Sequence, residues 1–67
     1  MKNKVKELRT KEKMTQQKLA DLVSVSSRTI ISLEKGNYSP SLMLAYKIAK
    51  YFGMTIEDIF VFEEEEI

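Results

Sequence analysis

The clearest pattern of apolar and polar positions lies in residues 15–36 and predicts two short helices joined by a tight corner. Each helix follows a hydroxyl residue suited to an N-cap, Thr15 for the first and Ser26 for the second. Gly36 suits the left-handed geometry that ends a helix. The apolar residues at helical spacing are Leu19, Ala20 and Val23, then Ile30 and Leu33. The pattern therefore predicts two helices that pack against each other through these residues.

Three further helices are predicted around this pair, over residues 3 or 4 to about 13, 40–52 and 56–60. Ser39 followed by Pro40 is typical of an N-cap with proline in the first helical position. Gly53 ends that fourth helix, and Thr55 caps the last one. The predicted buried positions of the fourth helix are Leu42, Leu44, Ala45, Ile48, Ala49 and Phe52. Five helices in a chain of this length predict an all-α bundle.

Length and composition fit one small domain over residues 1–67, with 43% apolar and 31% charged residues. The chain has no cysteine, no histidine and no glycine-rich phosphate loop. Because these supply the usual nucleophiles, bases and ligands, we predict no enzymatic activity, no cofactor and no metal site. No apolar run has the length of a membrane span, and the start lacks the apolar stretch of a signal peptide, so a cytoplasmic protein is expected.

The net charge of +1 conceals an asymmetry along the chain. Residues 1–53 carry all eleven Lys and Arg with four acids, giving +7, whereas residues 54–67 carry six acids and no base. A basic body fits a protein that binds nucleic acid and keeps its acidic tail, residues 63–67, away from phosphates. The asymmetry alone fits a lysine-rich globular protein equally well.

The outward face of the second helix of the pair consists of Ser27, Arg28, Ile31 and Ser32, with no acid. A helix that lies in the major groove of DNA needs such a face, because its first turn meets the base edges. An ordinary packed helix with a solvated face gives the same pattern. The spacing alone leaves both interpretations open.

Residues 16–42 also resemble the Cro/phage-repressor (XRE-type, lambda-repressor-like) DNA-binding domains, and the similarity extends over about residues 3–60. The matching segments are Gln-x-x-Leu-Ala at 16–20, Val-Ser at 25–26, Thr-Ile at 29–30, Leu-Glu-x-Gly at 33–36 and Pro-Ser-Leu at 40–42. The resemblance implies a five-helix lambda-repressor-like bundle, a helix-turn-helix in helices 2 and 3, and a prokaryotic or phage transcriptional regulator. The chain departs from the family pattern at Ser24, where glycine is usual, and at Leu22 and Ile31, where polar residues are usual.

Two classes of DNA contact are predicted. Arg28 is the best candidate for a bidentate contact to guanine, and Ile31 is suited either to a thymine methyl group or to the edge of the core. Thr29 is suited either to a phosphate or to a hydrogen bond within its own helix. The predicted base contacts are Ser27, Arg28, Ile31 and Ser32. The predicted phosphate contacts are Gln16, Gln17, Thr29, Lys35, Asn37 and Tyr38.

The resemblance further implies a structural ion pair between Arg9 and Glu34, which would fix the first helix against the third. Two independent surface charges are the alternative. One domain makes a small DNA contact, so a homodimer on a palindromic operator is expected. The predicted dimer interface comprises Tyr51, Phe52, Met54, Ile56, Phe60 and Phe62. No small-molecule ligand is predicted.

The last residues allow two interpretations. Val61 and Phe62 are β-prone, and in small members of the resembling family such a strand pairs with the residues before the first helix, here Met1 to Asn3. Lys2 opposite Glu63 would then form a favourable cross-strand pair. A frayed acidic tail is the alternative.

Two other functions share this fold class. A protein-interaction module, such as an antitoxin or antagonist, is favoured by apolar Leu22 and Ile31 and by the acidic tail. An RNA-binding domain is disfavoured, because this chain lacks the stacked aromatic residues that single-strand recognition uses. A DNA-binding regulator that acts as a repressor is the leading prediction, because Gln16, Arg28 and the basic body all favour DNA binding.

Overall fold

The computed structural model describes residues 1–63, and in this part of the chain five α-helices surround one apolar core. The helices are α1 (Val5–Lys11), α2 (Gln16–Leu22), α3 (Ser27–Glu34), α4 (Leu42–Phe52) and α5 (Ile56–Ile59). The all-α, five-helix prediction is confirmed. Most of the predicted acidic tail, residues 64–67, lies outside the described residues.

One contiguous apolar core holds the helices together. Ala20 on α2 is fully buried where α2 meets α3, and its small side chain lets the two backbones approach closely. Val25 in the corner packs against the same core, as its isolated apolar position suggests. The buried apolar residues are Val5, Leu19, Ala20, Val23, Ile30, Leu33, Leu44, Ala45, Ile48, Ala49, Ile59 and Phe60.

The predicted helix caps of the central pair are confirmed. The Thr15 hydroxyl accepts from the backbone N–H of Lys18 at 3.0 Å, and the Ser26 hydroxyl accepts from that of Thr29 at 3.2 Å. Gly36 adopts φ +76° after α3, as the sequence predicts for a residue that ends a helix. These caps satisfy N–H groups that would otherwise have no partner, and they fix where each helix begins.

The cap of α5 is a full capping box between Thr55 and Asp58. The Thr55 hydroxyl accepts from the Asp58 backbone N–H at 3.2 Å, and the Asp58 carboxylate accepts from the Thr55 backbone N–H at 3.1 Å. The hydrogen bond from the Thr55 backbone, followed by that from its side chain, lowers the pKa of Asp58. The carboxylate therefore stays ionised, and the box persists, at neutral pH.

The predicted start of α4 at Pro40 is wrong. Ser41, not Ser39, is the N-cap, and its hydroxyl accepts from the Leu44 backbone N–H at 3.1 Å. The extended backbone at Ser41 (ψ 158°) delays the helix until Leu42. Leu42 then points outward and is 79% exposed, so its predicted burial is also wrong. Leu44, Ala45, Ile48 and Ala49 face the core, as predicted.

The first helix is shorter than predicted and ends at Lys11. Lys13 adopts φ +56°, a left-handed conformation that an α-helix does not continue through. The resulting turn brings the Met14 carbonyl oxygen to 2.7 Å from an Arg9 guanidinium nitrogen, which donates to it. This hydrogen bond from Arg9 stabilises the turn that ends α1 at Lys11.

The predicted strand pairing exists as a single antiparallel bridge between Asn3 and Phe60, with no extended ladder in the described residues. The Lys4 N–H donates to the Ile59 carbonyl at 2.9 Å, and Val61 N–H to that of Lys2 at 2.9 Å. The predicted pair of Lys2 with Glu63 is present, with 3.8 Å between Nζ and Oε1. Its exposure makes it a weak contributor to stability.

Replacing Ser24 by glycine is expected to stabilise the fold by up to about 1 kcal/mol. Ser24 adopts φ +60°, where an L-residue costs about 1–2 kcal/mol and glycine costs nothing, although glycine loses more entropy on folding. Urea unfolding of the variant measures the change. Ser26→Ala, two residues away, removes the α3 cap and is expected to lower stability by about 1 kcal/mol. If both variants were more stable than the wild-type protein, or both less stable, this interpretation of the corner would be contradicted.

Candidate nucleic-acid interface

The four residues predicted to contact bases lie together on α3. Ile30 and Leu33 are fully buried, which fixes the rotation of α3 about its axis and turns the opposite side outward. Arg28 in the first turn is exposed, and the other three are half-buried. The α3 outer face, defined as Ser27, Arg28, Ile31 and Ser32, carries one positive charge and no acid.

Thr29 is engaged within its own helix. Its hydroxyl lies 3.0 Å from the Ser26 hydroxyl, and its backbone N–H donates to the same Ser26 oxygen. The local hydrogen bond that the sequence offered as an alternative is therefore present. A phosphate contact by Thr29 would have to share this hydroxyl.

The predicted pair of Arg9 with Glu34 is confirmed and is nearly buried, with the side chains 10% and 3% exposed. The guanidinium donates through Nε to one carboxylate oxygen at 2.6 Å and through a terminal nitrogen to the other at 3.1 Å. Such a bidentate fork fixes orientation as well as distance. It holds the last residue of α3 against α1, so the pair positions the α3 outer face.

Gln16 extends this pair into a network of three helices. Its amide nitrogen donates to the Glu34 carboxylate at 3.0 Å, so that carboxylate joins α1, α2 and α3. Gln17, one residue on, donates to Asp21 at 2.8 Å on the exposed side of α2. Both glutamines predicted to contact phosphates are thus bonded within the protein, and each amide nitrogen keeps a second hydrogen for another acceptor. The Gln16–Glu34 bond could not be predicted from the sequence pattern, because the partners are 18 residues apart.

The loop after α3 is tied to the end of that helix. The backbone N–H groups of Gly36 and Asn37 donate to the Leu33 and Ser32 carbonyl oxygens at 3.0 and 3.2 Å. Asn37 and Lys35 are exposed. Tyr38 packs partly on the core.

Burial raises the pKa of the Tyr38 phenol. The group therefore stays a neutral hydrogen-bond donor at pH 7. A donor at this position matches its predicted role in the contact to a phosphate.

The exposed apolar residues form a second candidate surface on α4 and α5. Leu42, Met43 and Tyr46 are 79%, 62% and 51% exposed, and with Ile56 they line an open groove of about 430 Å³. Leu42 also lines a neighbouring groove with Phe62, which is 52% exposed. We call these five residues the α4 apolar surface. The sequence analysis placed Leu42 in the core and gave Met43 and Tyr46 no role in an interface.

The prediction that Phe60 belongs to a dimer interface is wrong, because its side chain is buried in the core. It is 1% exposed because its bridge to Asn3 directs the side chain into the core. Tyr51 and Phe62 are exposed, and Phe52, Met54 and Ile56 are half-buried. The Tyr51 and Phe52 rings meet edge to face, with centroids 5.1 Å apart.

Other kinds of site find no support in the part of the chain that the structure describes. Residues 1–63 contain no group of three or more Asp, Glu, His or Cys side chains arranged to hold a metal ion. Within the same residues, no helix is both long and apolar enough to cross a membrane.

A model of the helix-turn-helix family matches residues 5–59, which includes all five helices. The chain belongs to this Cro/C1-like helix-turn-helix family. An uncharacterized HTH-type transcriptional regulator of Methanocaldococcus jannaschii is 56% identical over 66 residues, covering 98% of this chain and 100% of the relative. One of Bacillus subtilis is 54% identical over 65 residues, covering 97% and 98%. The family is a non-enzymatic class, which confirms the prediction that the chain is not an enzyme.

More distant comparisons agree with the helix-turn-helix fold. The cryptic phage CTXphi transcriptional repressor RstR of Vibrio cholerae is 32% identical over 57 residues, covering 85% of this chain and 51% of the repressor. The crystal structure of a transcriptional regulator from Listeria innocua superimposes with a TM-score of 0.80 over 96% of this chain and 64% of the other, at 18% identity. At that identity the second comparison supports the fold alone.

Proposed function

We propose that this helix-turn-helix protein is a sequence-specific, double-stranded DNA-binding transcriptional regulator with α3 in the major groove. The observation that carries the proposal is the α3 outer face, which is polar except for Ile31, contains no acid and has exposed Arg28 in its first turn. The Arg9–Glu34 fork holds that face rigid against α1. The relatives named as transcriptional regulators support the same function.

Within this proposal the contacts divide into two groups. Arg28 donates to guanine O6 and N7, Ser27 and Ser32 bond to base edges nearby, and Ile31 meets a thymine methyl group. The 35–38 loop lies on the adjacent strand, where Lys35, Asn37 and Tyr38 contact phosphates, as do the second amide hydrogens of Gln16 and Gln17. This second group sets the register of α3 on the duplex and carries no sequence information.

Selection from a random duplex pool, carried out at two salt concentrations, tests the function. We expect a palindrome with half-sites about 10 base pairs apart. Weak binding without any motif, lost as salt rises, would mean that only the basic body is engaged. The proposal of a sequence-specific regulator would then fail.

The proposed regulator acts as a homodimer that pairs through the α4 apolar surface. The most exposed apolar side chains of the described residues, Leu42 and Met43, lie there, and Ile56 and Phe62 connect it to the interface predicted from sequence. A contiguous exposed apolar patch of this kind is typical of an interface between copies. A dimer of this size represses simply by occupying a promoter, so repression of a palindromic operator is the simplest form of the proposal.

The dimer interface is tested by changing Leu42 to lysine. We expect dimerisation to weaken at least about tenfold, because an unpaired ammonium would be buried in an apolar contact. Sedimentation equilibrium measures the mass against the 7.8 kDa chain. Leu22→Lys, on a leucine of α2 that is 43% exposed, is the matched control and should leave the dimer intact. Dissociation by the control and not by Leu42→Lys would overturn the assignment.

A protein-interaction module is the second candidate function. It is favoured by Leu22, which is 43% exposed, and by half-buried Ile31 on the α3 outer face. If random-pool selection recovers no motif, these two residues become the surface to test for a protein partner.

A regulator of DNA acts where the DNA is, so a cytoplasmic protein of a prokaryote or phage remains our prediction.

A further inference from the structure

The Asn3 side chain makes three hydrogen bonds, two with its neighbours in sequence and one with the end of α3. Its amide nitrogen donates to the carbonyl oxygens of Leu33 at 2.9 Å and Met1 at 3.2 Å. Its amide oxygen accepts from the backbone N–H of Val5 at 3.1 Å, and its backbone forms the bridge to Phe60. One half-buried side chain therefore joins the start of α1 to the last turn of α3.

The Leu33 carbonyl lies where α3 passes into the 35–38 loop. It also accepts from the backbone N–H of Gly36, a residue with φ +76°. The Met1 amino group donates to the Gly36 carbonyl at 2.8 Å, and the Met1 carbonyl oxygen lies 3.2 Å from where a Cβ on Gly36 would stand. The loop is thus held from outside α3, by residues that precede α1.

Besides the partial packing of Tyr38 on the core, bonds from Asn3 and Met1 restrain this loop and the helix end before it. Lys35 and Asn37 are exposed, and the backbone hydrogen bonds of Gly36 and Asn37 to α3 fix only local geometry. The bonds from Asn3 and Met1 add the long-range restraint, because Leu33 and Asn3 are 30 residues apart in the chain. Loss of a long-range restraint lets a helix end and its loop open locally without global unfolding.

We propose that Asn3 is a positioning residue of the DNA interface, whose bond to the Leu33 carbonyl sets the 35–38 loop for contact with phosphates. The inference rests on the proposed function, in which Asn37 and Tyr38 bind the backbone. Asn3 acts through the loop and touches no DNA. Its effect therefore falls on phosphate contacts and not on the choice of base.

The test replaces Asn3 by aspartate and, separately, by serine. Aspartate keeps the acceptor for Val5 but turns a carboxylate oxygen toward the Leu33 and Met1 carbonyl oxygens. Serine keeps a helix-capping hydroxyl, is too short to reach Leu33, and adds no charge, so it controls for the charge of aspartate and for failure to fold. Two measurements follow: amide hydrogen exchange without DNA, and the affinity of a 20-base-pair mixed-sequence duplex as a function of salt.

In both variants we expect exchange at Gly36 and Asn37 to quicken about 3- to 10-fold, the effect of one lost hydrogen bond. Exchange at Val25, whose N–H donates to the Ala20 carbonyl in the α2–α3 corner, should stay unchanged. The serine variant should bind the duplex about 3- to 10-fold more weakly, with a log–log salt slope shallower by about one phosphate contact.

Unchanged loop exchange and an unchanged salt slope would overturn the proposal and leave Asn3 a purely structural residue. Failure of the proposed function itself gives a different result. Random-pool selection with the wild-type protein would then recover no motif, while the exchange measurement would still report on the loop.

Discussion

Replacing Glu34 by alanine is expected to lower the free energy of unfolding by about 3–5 kcal/mol. The variant leaves the Arg9 guanidinium, in a residue 8% exposed, without the carboxylate that takes two of its hydrogen bonds. Gln16 loses its partner at the same time. A domain of this length has a small stability to lose, so the variant is expected to be largely unfolded at 37 °C.

Urea unfolding followed by circular dichroism measures this loss. Glu12→Ala, on an exposed glutamate next to the end of α1, is the matched control and should change stability by less than about 0.5 kcal/mol. The double variant Arg9→Met, Glu34→Leu should recover most of the loss, because it removes both charges together. A loss below about 1 kcal/mol in Glu34→Ala would show that water already screens the pair.

Replacing Arg28 by alanine is expected to weaken binding to the selected operator by about 1–3 kcal/mol per half-site. Arg28 is exposed in the first turn of α3, so its removal disturbs no buried contact and its cost falls on DNA binding. In a dimer the loss applies to both half-sites. Fluorescence anisotropy with the operator and with a mixed-sequence duplex separates the specific loss from the general one.

Arg28→Lys is the control for this variant. Lysine keeps the charge but has no planar fork for guanine O6 and N7, so it should restore non-specific affinity and leave most of the specificity lost. If Arg28→Ala weakens the operator and the mixed-sequence duplex equally, Arg28 contacts a phosphate, and the assignment of a base contact is wrong.

The elements that the sequence predicted correctly depend on local chemistry. Thr15, Ser26 and Thr55 cap their helices because a hydroxyl can bond only to N–H groups within the next turn. Gly36 and Gly53 end helices with positive φ for an equally local reason. Such features need no knowledge of the rest of the fold.

The predicted start of α4 was wrong because two serines are equally suited to cap the helix. Ser39 before Pro40 and Ser41 before Leu42 are both acceptable caps, and the local sequence does not decide between them. Leu42, predicted to lie in the core, is instead exposed in the first turn. The burial of Phe60 was missed for a related reason, since its bridge to Asn3 joins residues far apart in the chain.

Of the long-range polar contacts to α3, the one that was predicted is the one that the family resemblance implied. The pairing of Arg9 with Glu34 was implied by family resemblance and is present. The bonds of Gln16 to Glu34 and of Asn3 to Leu33 had no sequence signal, because an amide is common on any protein surface. Whether an amide lies beside a carboxylate or a helix end is decided only by the packing of α1, α2 and α3.

Methylation interference on the selected operator tests the placement of α3 in the major groove most directly. Methylation of guanine N7 lies in the major groove, whereas methylation of adenine N3 lies in the minor groove. We predict that N7 methylation of one guanine in each half-site blocks binding of the wild-type protein and has little effect on Arg28→Ala. Interference confined to adenine N3, or the same N7 interference in both proteins, would contradict a major-groove contact by Arg28.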